Sequence, residues 1–175
     1  MKNIILILFL LFYQISFAQL KTYIGKGVVN DIKRADSVII LSHLNSNEEY
    51  SQNGKLLDMS VVIGDSINSF IIKEKQVLNS SQKKELIKII NTAKYKPPRG
   101  KLGEMKRAGC YVPHHSVLIY INKEIFHWEI CFSCIGMSSN THDYYKKIDE
   151  LFDNKKYTLL QEFFKKQGMK YELYR

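Results

Sequence analysis

The chain has 175 residues, and its 26 Lys and Arg residues against 17 Asp and Glu residues give a net charge of +9. With 45% hydrophobic residues, it is long enough and apolar enough to bury a core of ordinary size. This composition excludes a collagen-like fibre and an intrinsically disordered chain. Apolar runs stay below the roughly 20 residues of a membrane span, so we do not expect an integral membrane protein.

Residues 1–18 are predicted to be a cleaved signal peptide. A positively charged start precedes an uninterrupted apolar run, and a small-x-small cleavage site ends at Ala18. The next residue is Gln19 rather than a cysteine, so a lipid anchor is not indicated. We therefore expect residues 19–175 to form a single domain that is periplasmic or secreted.

The first half of the mature chain is predicted to be mainly β structure. Residues 20–44 contain short apolar runs near glycines, and residues 38–41 are typical of a buried strand. A polar loop over residues 45–54 precedes two further predicted strands, at 56–63 and 69–73.

Three helices are predicted after these strands. The first covers about residues 80–93, capped by one of two serines, with apolar residues on one face and lysines on the others. Thr141 is predicted to cap a second helix over 142–152, and a third covers about 157–167. Because strands come first and helices cluster late, the predicted fold class is α+β: a mostly antiparallel sheet with three helices, two of them C-terminal.

Residues 116–130 are predicted to form a β-hairpin between the first and second helices. If Asn122-Lys123 is the two-residue turn, apolar residues face one another on one side of the hairpin, and His114 lies opposite Cys131 on the other. A slip of one residue would exchange these partners, so His115 is an equal candidate.

Five residues near the open end of this hairpin could carry chemistry together. One cysteine and two histidines precede the first strand of the hairpin, and a C-x-x-C pair lies at the end of its second strand. They are Cys110, His114, His115, Cys131 and Cys134.

Three interpretations of this cluster remain open. Three cysteines and one histidine can supply the four tetrahedral ligands of a zinc ion. Alternatively, a disulfide from Cys110 to Cys131 or Cys134 would close a loop of about 20 residues and stabilise the fold by roughly 3 kcal/mol, leaving a third, buried thiol. An oxidising compartment favours this disulfide. A redox dithiol of Cys131 and Cys134 is the least favoured, because no clear helix follows to stabilise a thiolate.

The segments C-x-x-P-x-H and I-C-F-x-C resemble a motif of small exported bacterial proteins of uncharacterised function. Four residues match that motif: Cys110, His115, Cys131 and Cys134. The resemblance covers only this part of the chain. It implies a joint role for the four residues and no particular reaction.

Two further features have both a functional and a structural interpretation. Ser116, His127 and Glu129 share a face of the hairpin and could form a hydrolase site, but no G-x-S-x-G motif surrounds the serine. Simple alternation on an exposed sheet face explains them equally well. Residues 94–107 form a basic connection that could contact anionic components of the cell envelope, although a solvated loop is the simpler interpretation.

The sequence therefore favours an exported envelope protein that acts as a non-catalytic binding or interaction module. In this hypothesis the Cys/His cluster stabilises the fold, through a disulfide or a structural zinc ion. The alternative is a metal-dependent or thiol enzyme that uses the same cluster as its site.

Overall fold

A computed structural model describes residues 25–92, 111–139, 148–149 and 151–173. The predicted signal peptide, Cys110 and the basic connection at 94–107 lie outside these residues, as does most of the predicted helix at 142–152. Among the described helices, none combines the length and apolar content of a membrane span.

The described elements comprise three helices and nine strands, most of the strands being very short. In chain order they are α1 (25–34), β1 (Ser37–His43), β2 (Ser51–Gln52), β3 (Lys55–Leu56), β4 (Val62–Ile63), β5 (Ser66–Ile67), β6 (Ile72–Val77), α2 (Ser80–Asn91), β7 (His115–Ile121), β8 (Glu124–Cys131), β9 (Gly136–Ser138) and α3 (Asn154–Lys166).

Five strands form one antiparallel sheet, in the order β6-β1-β7-β8-β9. The predicted hairpin is its centre, and its predicted register is confirmed, with His115 opposite Ile130 and Ser116 opposite Glu129. The turn residues Asn122 and Lys123 both have positive φ, at 50° and 73°. A two-residue turn of this kind matches the twist of the flanking strands and therefore fixes the register.

Three predictions about the first half of the chain need correction. Residues 25–34 form a helix rather than β structure, because Val28 and Ile32 are one helical turn apart and bury the same face. The predicted strand at 56–63 is divided between β3 and β4, with a turn in which the Ser60 N–H donates to the Asp58 carboxylate. The strand predicted at 69–73 is displaced towards the helix and occupies residues 72–77.

Both faces of the sheet are covered. The three helices pack on one face, where Val117, Trp128 and Ile130 lie in the main core. On the other face, residues 44–71 form a second, smaller core with Leu41 and Leu118. The α+β class is confirmed, but the expectation that the second face of the hairpin is exposed is wrong.

Helix α2 is capped by Asn79, directly before its first residue Ser80, and not by either predicted serine. The Asn79 side chain accepts a hydrogen bond from the Gln82 N–H, and the Gln82 side chain accepts one from the Asn79 N–H, at 3.0 and 2.7 Å. This reciprocal capping box satisfies two backbone donors that the helix itself leaves unpaired.

Replacing Asn79 with alanine should lower the free energy of unfolding by about 1 kcal/mol, because the orphan donors of the first turn lose their acceptor. Urea unfolding followed by circular dichroism measures this loss. The matched control Asn91→Ala, at the exposed last residue of the same helix, should change stability by less than about 0.5 kcal/mol. Equal effects of the two substitutions would contradict the cap.

Candidate functional site

The open end of the β7–β8 hairpin carries a disulfide between Cys131 and Cys134. Their sulfur atoms are 2.09 Å apart. A disulfide within the cluster is therefore confirmed, but the predicted pairing of either residue with Cys110 is wrong. The chain reverses immediately after β8, and β9 pairs with it through Cys131 and Gly136, so the two ends of C-x-x-C are brought together locally.

The disulfide lies just beneath the surface of a four-residue turn. Cys131 is 1% exposed and Cys134 is 6% exposed, while Ser133 between them is exposed. The Cys134 N–H donates a hydrogen bond to the Cys131 sulfur at 3.1 Å. The Ser133 hydroxyl lies 3.4 Å from the same sulfur and 3.8 Å from the other.

The backbone after the disulfide is held in an uncommon conformation. Ile135 has a φ of 53°, in the left-handed region that β-branched residues rarely adopt. The ring of Tyr111 packs so closely on Gly136 that a Cβ there would lie 3.3 Å from it. The Tyr111 hydroxyl also bonds the Glu129 carbonyl oxygen and the Ser138 hydroxyl, at 2.9 and 2.8 Å. Tyr111 therefore stabilises the turn through contacts with both strands that flank it, β8 and β9.

The two candidate histidines lie on opposite faces of β7. His115 is 1% exposed in the main core, between the rings of Phe132 and Phe164, and its Nε2 donates to the Tyr171 carbonyl oxygen at 3.1 Å. Burial lowers the pKa of His115 to about 3, helped by repulsion from His43 and His114. This histidine is neutral at physiological pH.

His114 lies in a more open position at the end of the sheet. Its Nδ1 is 3.1 Å from the His43 carbonyl oxygen and donates to it, and its ring meets the Tyr171 ring edge-on at 5.9 Å. The hairpin thus places the histidines near the same end of the sheet, as predicted. Strand alternation sends only one of them to the face opposite the helices.

The donor set does not fit a zinc ion in this redox state. Zinc is bound by thiolates, whereas Cys131 and Cys134 are bonded to each other. Within the described ranges, which leave out Cys110, no group of three or more His, Cys, Asp or Glu side chains is arranged to hold a metal. A zinc site therefore stays a prediction for the reduced chain alone.

A hydrogen-bonded pair that the sequence analysis missed lies on the second face of the sheet. His43 Nε2 is 2.8 Å from the Ser116 hydroxyl, and His43 Nδ1 is 2.7 Å from the Leu44 carbonyl oxygen. Because a carbonyl can only accept, Nδ1 carries the proton and the Ser116 hydroxyl donates to Nε2. Burial lowers the pKa of His43, and both side chains are fully buried. Only the β1–β7 register, which places Leu41 opposite Ser116, would have revealed this contact.

Glu129 forms a second buried group beside this pair. The Ser46 hydroxyl donates to Glu129 Oε2, and His127 Nε2 lies 3.8 Å from Oε1. Burial acts to raise the pKa of Glu129, but the neighbouring His127 ring, the hydrogen bond from Ser46 and the nearby His43 outweigh it, so the pKa is lowered. The carboxylate is therefore ionised and held in place.

This arrangement does not match a hydrolase triad. In a triad a carboxylate orients the histidine through Nδ1, whereas a backbone carbonyl occupies Nδ1 of His43. The serine that would act as nucleophile is 0% exposed beneath residues 44–71. The two groups are best explained as a buried polar network that fixes the segment at 44–46 against the sheet.

The surface offers one further feature, a groove between α2 and α3. Its volume is about 640 Å³. Its floor is apolar and its edges are charged; the lining residues are Ile89, Leu159 and Phe163 with Lys84, Lys88, Lys166, Glu85 and Glu162. The sequence alone does not reveal this groove, because it arises only when two helices pack side by side.

Comparisons with known proteins add no relative. No family model matches this sequence, and neither a curated protein nor a solved structure matches it significantly.

Proposed function

We propose that the protein is an exported, non-catalytic binding module that attaches to an anionic membrane surface of the cell envelope. The observation that carries this proposal is the lysine-edged apolar groove between α2 and α3, which we name the α2–α3 groove. Surfaces of this type combine apolar burial with attraction to anionic lipid head groups.

The groove has the two components that binding at a membrane surface requires. Leu159 is 36% exposed, whereas Phe163 is 2% exposed and Ile89 is 7% exposed, so an apolar floor leads up to an apolar residue at the mouth. Lys84 and Lys88 stand one helical turn apart on α2 and are both exposed. A lipid could therefore contact the apolar residues with its acyl chain and the lysines with its anionic head group.

The acidic residues of the groove only partly offset its lysines. Glu85 is paired with Lys166, whose ammonium group lies 3.0 Å from the carboxylate. Glu162 is the other acidic residue of the lining. Lys84 and Lys88 therefore give the α2 side a positive edge.

The sequence that follows α2 is also strongly basic. The chain leaves the helix after Asn91 and continues into residues 94–107, which contain four lysines and two arginines against one glutamate. With a net charge of +9, the whole chain is suited to an anionic partner.

The chemistry-bearing side chains of the second sheet face support binding over hydrolysis. Ser116 and His43 are bonded to each other inside the fold, and the Glu129 carboxylate is occupied by Ser46 and His127. A nucleophile buried in this way has no route to a substrate unless the segment at 44–71 moves.

Vesicle co-sedimentation tests the proposal. We expect the protein to bind vesicles that contain phosphatidylglycerol and not vesicles of phosphatidylcholine alone, with binding that weakens as salt is added. The double variant Lys84→Gln/Lys88→Gln should bind about 30-fold more weakly, since each lysine near the surface contributes about 1 kcal/mol.

A matched control removes the same charge elsewhere. Lys55 and Lys123 are exposed at hairpin ends outside the groove lining, so Lys55→Gln/Lys123→Gln should leave vesicle binding within about threefold of the parent. Equal weakening by the two double variants, or no preference for anionic lipid, would overturn the proposal.

A further inference from the structure

We propose that Cys131 and Cys134 form an exchange-active disulfide that oxidises paired thiols in other molecules. The substrate class is a dithiol, such as two neighbouring cysteines of an exported protein. This inference is independent of the α2–α3 groove, and its experiment does not depend on membrane binding.

The Cys131–Cys134 disulfide should add little to the stability of the fold around it. On the chain-entropy model, a disulfide constrains the unfolded chain least when the loop it closes is short, and this loop spans only Cys131 to Cys134. The pairing of β8 with β9 already reverses the chain at this point. The Tyr111 hydroxyl fastens both strands through Glu129 and Ser138. A disulfide with only a stabilising role would therefore add little at this turn.

The two sulfur atoms have different surroundings, and the difference assigns their roles. The Cys131 sulfur accepts the Cys134 N–H at 3.1 Å, and the Ser133 hydroxyl lies closer to it, at 3.4 Å, than to the Cys134 sulfur, at 3.8 Å. Both donors can stabilise the negative charge of a departing thiolate. Cys134 is the more exposed of the pair, at 6% against 1%, and it follows the exposed Ser133. Both residues are buried, and we infer that the less buried Cys134 carries the sulfur that an external thiolate attacks.

The reaction proceeds in two exchange steps. The first substrate thiolate attacks the sulfur of Cys134, the Cys131–Cys134 bond breaks, and its electron pair leaves on the Cys131 sulfur. The second substrate thiolate then attacks the substrate sulfur of the mixed disulfide, and Cys134 leaves as a thiolate. The substrate loses two electrons and gains a disulfide, the protein gains two thiols, and the substrate's two protons pass to these thiols. One dithiol is oxidised per protein molecule.

The backbone at the turn is consistent with a working site. Ile135 follows Cys134 directly and holds a φ of 53°. Residues in sparsely populated conformations persist where the surrounding structure enforces them, and they cluster at functional sites. The strain is adjacent to the bond that breaks.

The experiment uses the native full chain without denaturant. The protein is mixed with a synthetic peptide that contains two cysteines, thiols are alkylated at timed intervals, and tryptic peptides are weighed. Residues 124–146 form one tryptic peptide with both cysteines, whereas Cys110 falls in the separate peptide 108–123. We expect peptide 124–146 to become doubly alkylated as the synthetic peptide gains a disulfide in equal amount. Near-ultraviolet circular dichroism should remain native.

Two variants test the assignment of roles. Ser133→Ala should slow the exchange about fivefold, because the departing thiolate loses one donor. The control Ser138→Ala alters a hydroxyl of the neighbouring strand that bonds Tyr111 and not the sulfurs, and it should leave the rate within about twofold. A disulfide that reacts only in denaturant, or equal slowing by both variants, would overturn the inference.

Discussion

Truncating Trp128 to alanine should lower the free energy of unfolding by about 3 to 5 kcal/mol. Trp128 is 0% exposed and is the largest of the fully buried side chains. It projects from β8, opposite Val117, into the core between the sheet and the helices. Removing it leaves a cavity that the packed helices can only partly fill. Urea unfolding at neutral pH measures the loss.

Phe70→Ala provides the control for this substitution. Phe70 is 54% exposed, so its truncation should cost less than about 1 kcal/mol. A loss below about 1 kcal/mol for Trp128→Ala would mean that the helices do not cover this face of the sheet.

Acidification from pH 7.5 to 4.5 should destabilise the protein by roughly 2 to 3 kcal/mol through His115 alone. Burial lowers the pKa of His115 to about 3, from an ordinary value of 6.5. Over this pH range the His115 side chain therefore binds a proton in the unfolded chain and not in the folded chain. The contribution of His115 to stability is complete above pH 6.5 and is lost as the pH falls towards 3. His43, whose pKa is also lowered by burial, acts in the same direction.

Replacing His115 with phenylalanine should remove this part of the pH dependence, because the new ring packs against Phe132 and Phe164 without titrating. The difference in unfolding free energy between the two pH values should shrink by about 2 to 3 kcal/mol. The control Ile40→Val alters a buried core residue that does not titrate, and it should lower stability equally at both pH values. An unchanged pH dependence in His115→Phe would contradict the burial of this histidine.

The sequence was most informative where local chemistry decides the structure. The turn at Asn122-Lys123 fixed the hairpin register, and alternation then assigned each residue of β7 and β8 to its face. Helices α2 and α3 were predicted because their apolar residues recur at helical spacing. The error at 25–34 arose because valines near glycines favour strands locally, whereas packing on the sheet selects the helix.

The candidate site was predictable only in part, since its contacts depend on chain reversals and strand order. No sequence pattern near Cys134 predicts that β9 folds back on β8, yet this reversal determines that Cys131 pairs with Cys134. The contact between His43 and Ser116 requires the β1–β7 pairing, which joins distant segments. Burial of Glu129 depends on residues 44–71 covering a face that alternation alone marks as polar.

The pairing of Cys131 with Cys134 is tested most directly by peptide mapping of the native protein under non-reducing conditions, with free thiols alkylated first. Peptide 124–146 should be lighter than its reduced form by two hydrogen atoms and should carry no alkyl group. A species in which peptide 108–123 is linked to peptide 124–146 would show that Cys110 takes one of these partners, and would contradict the structure of the turn.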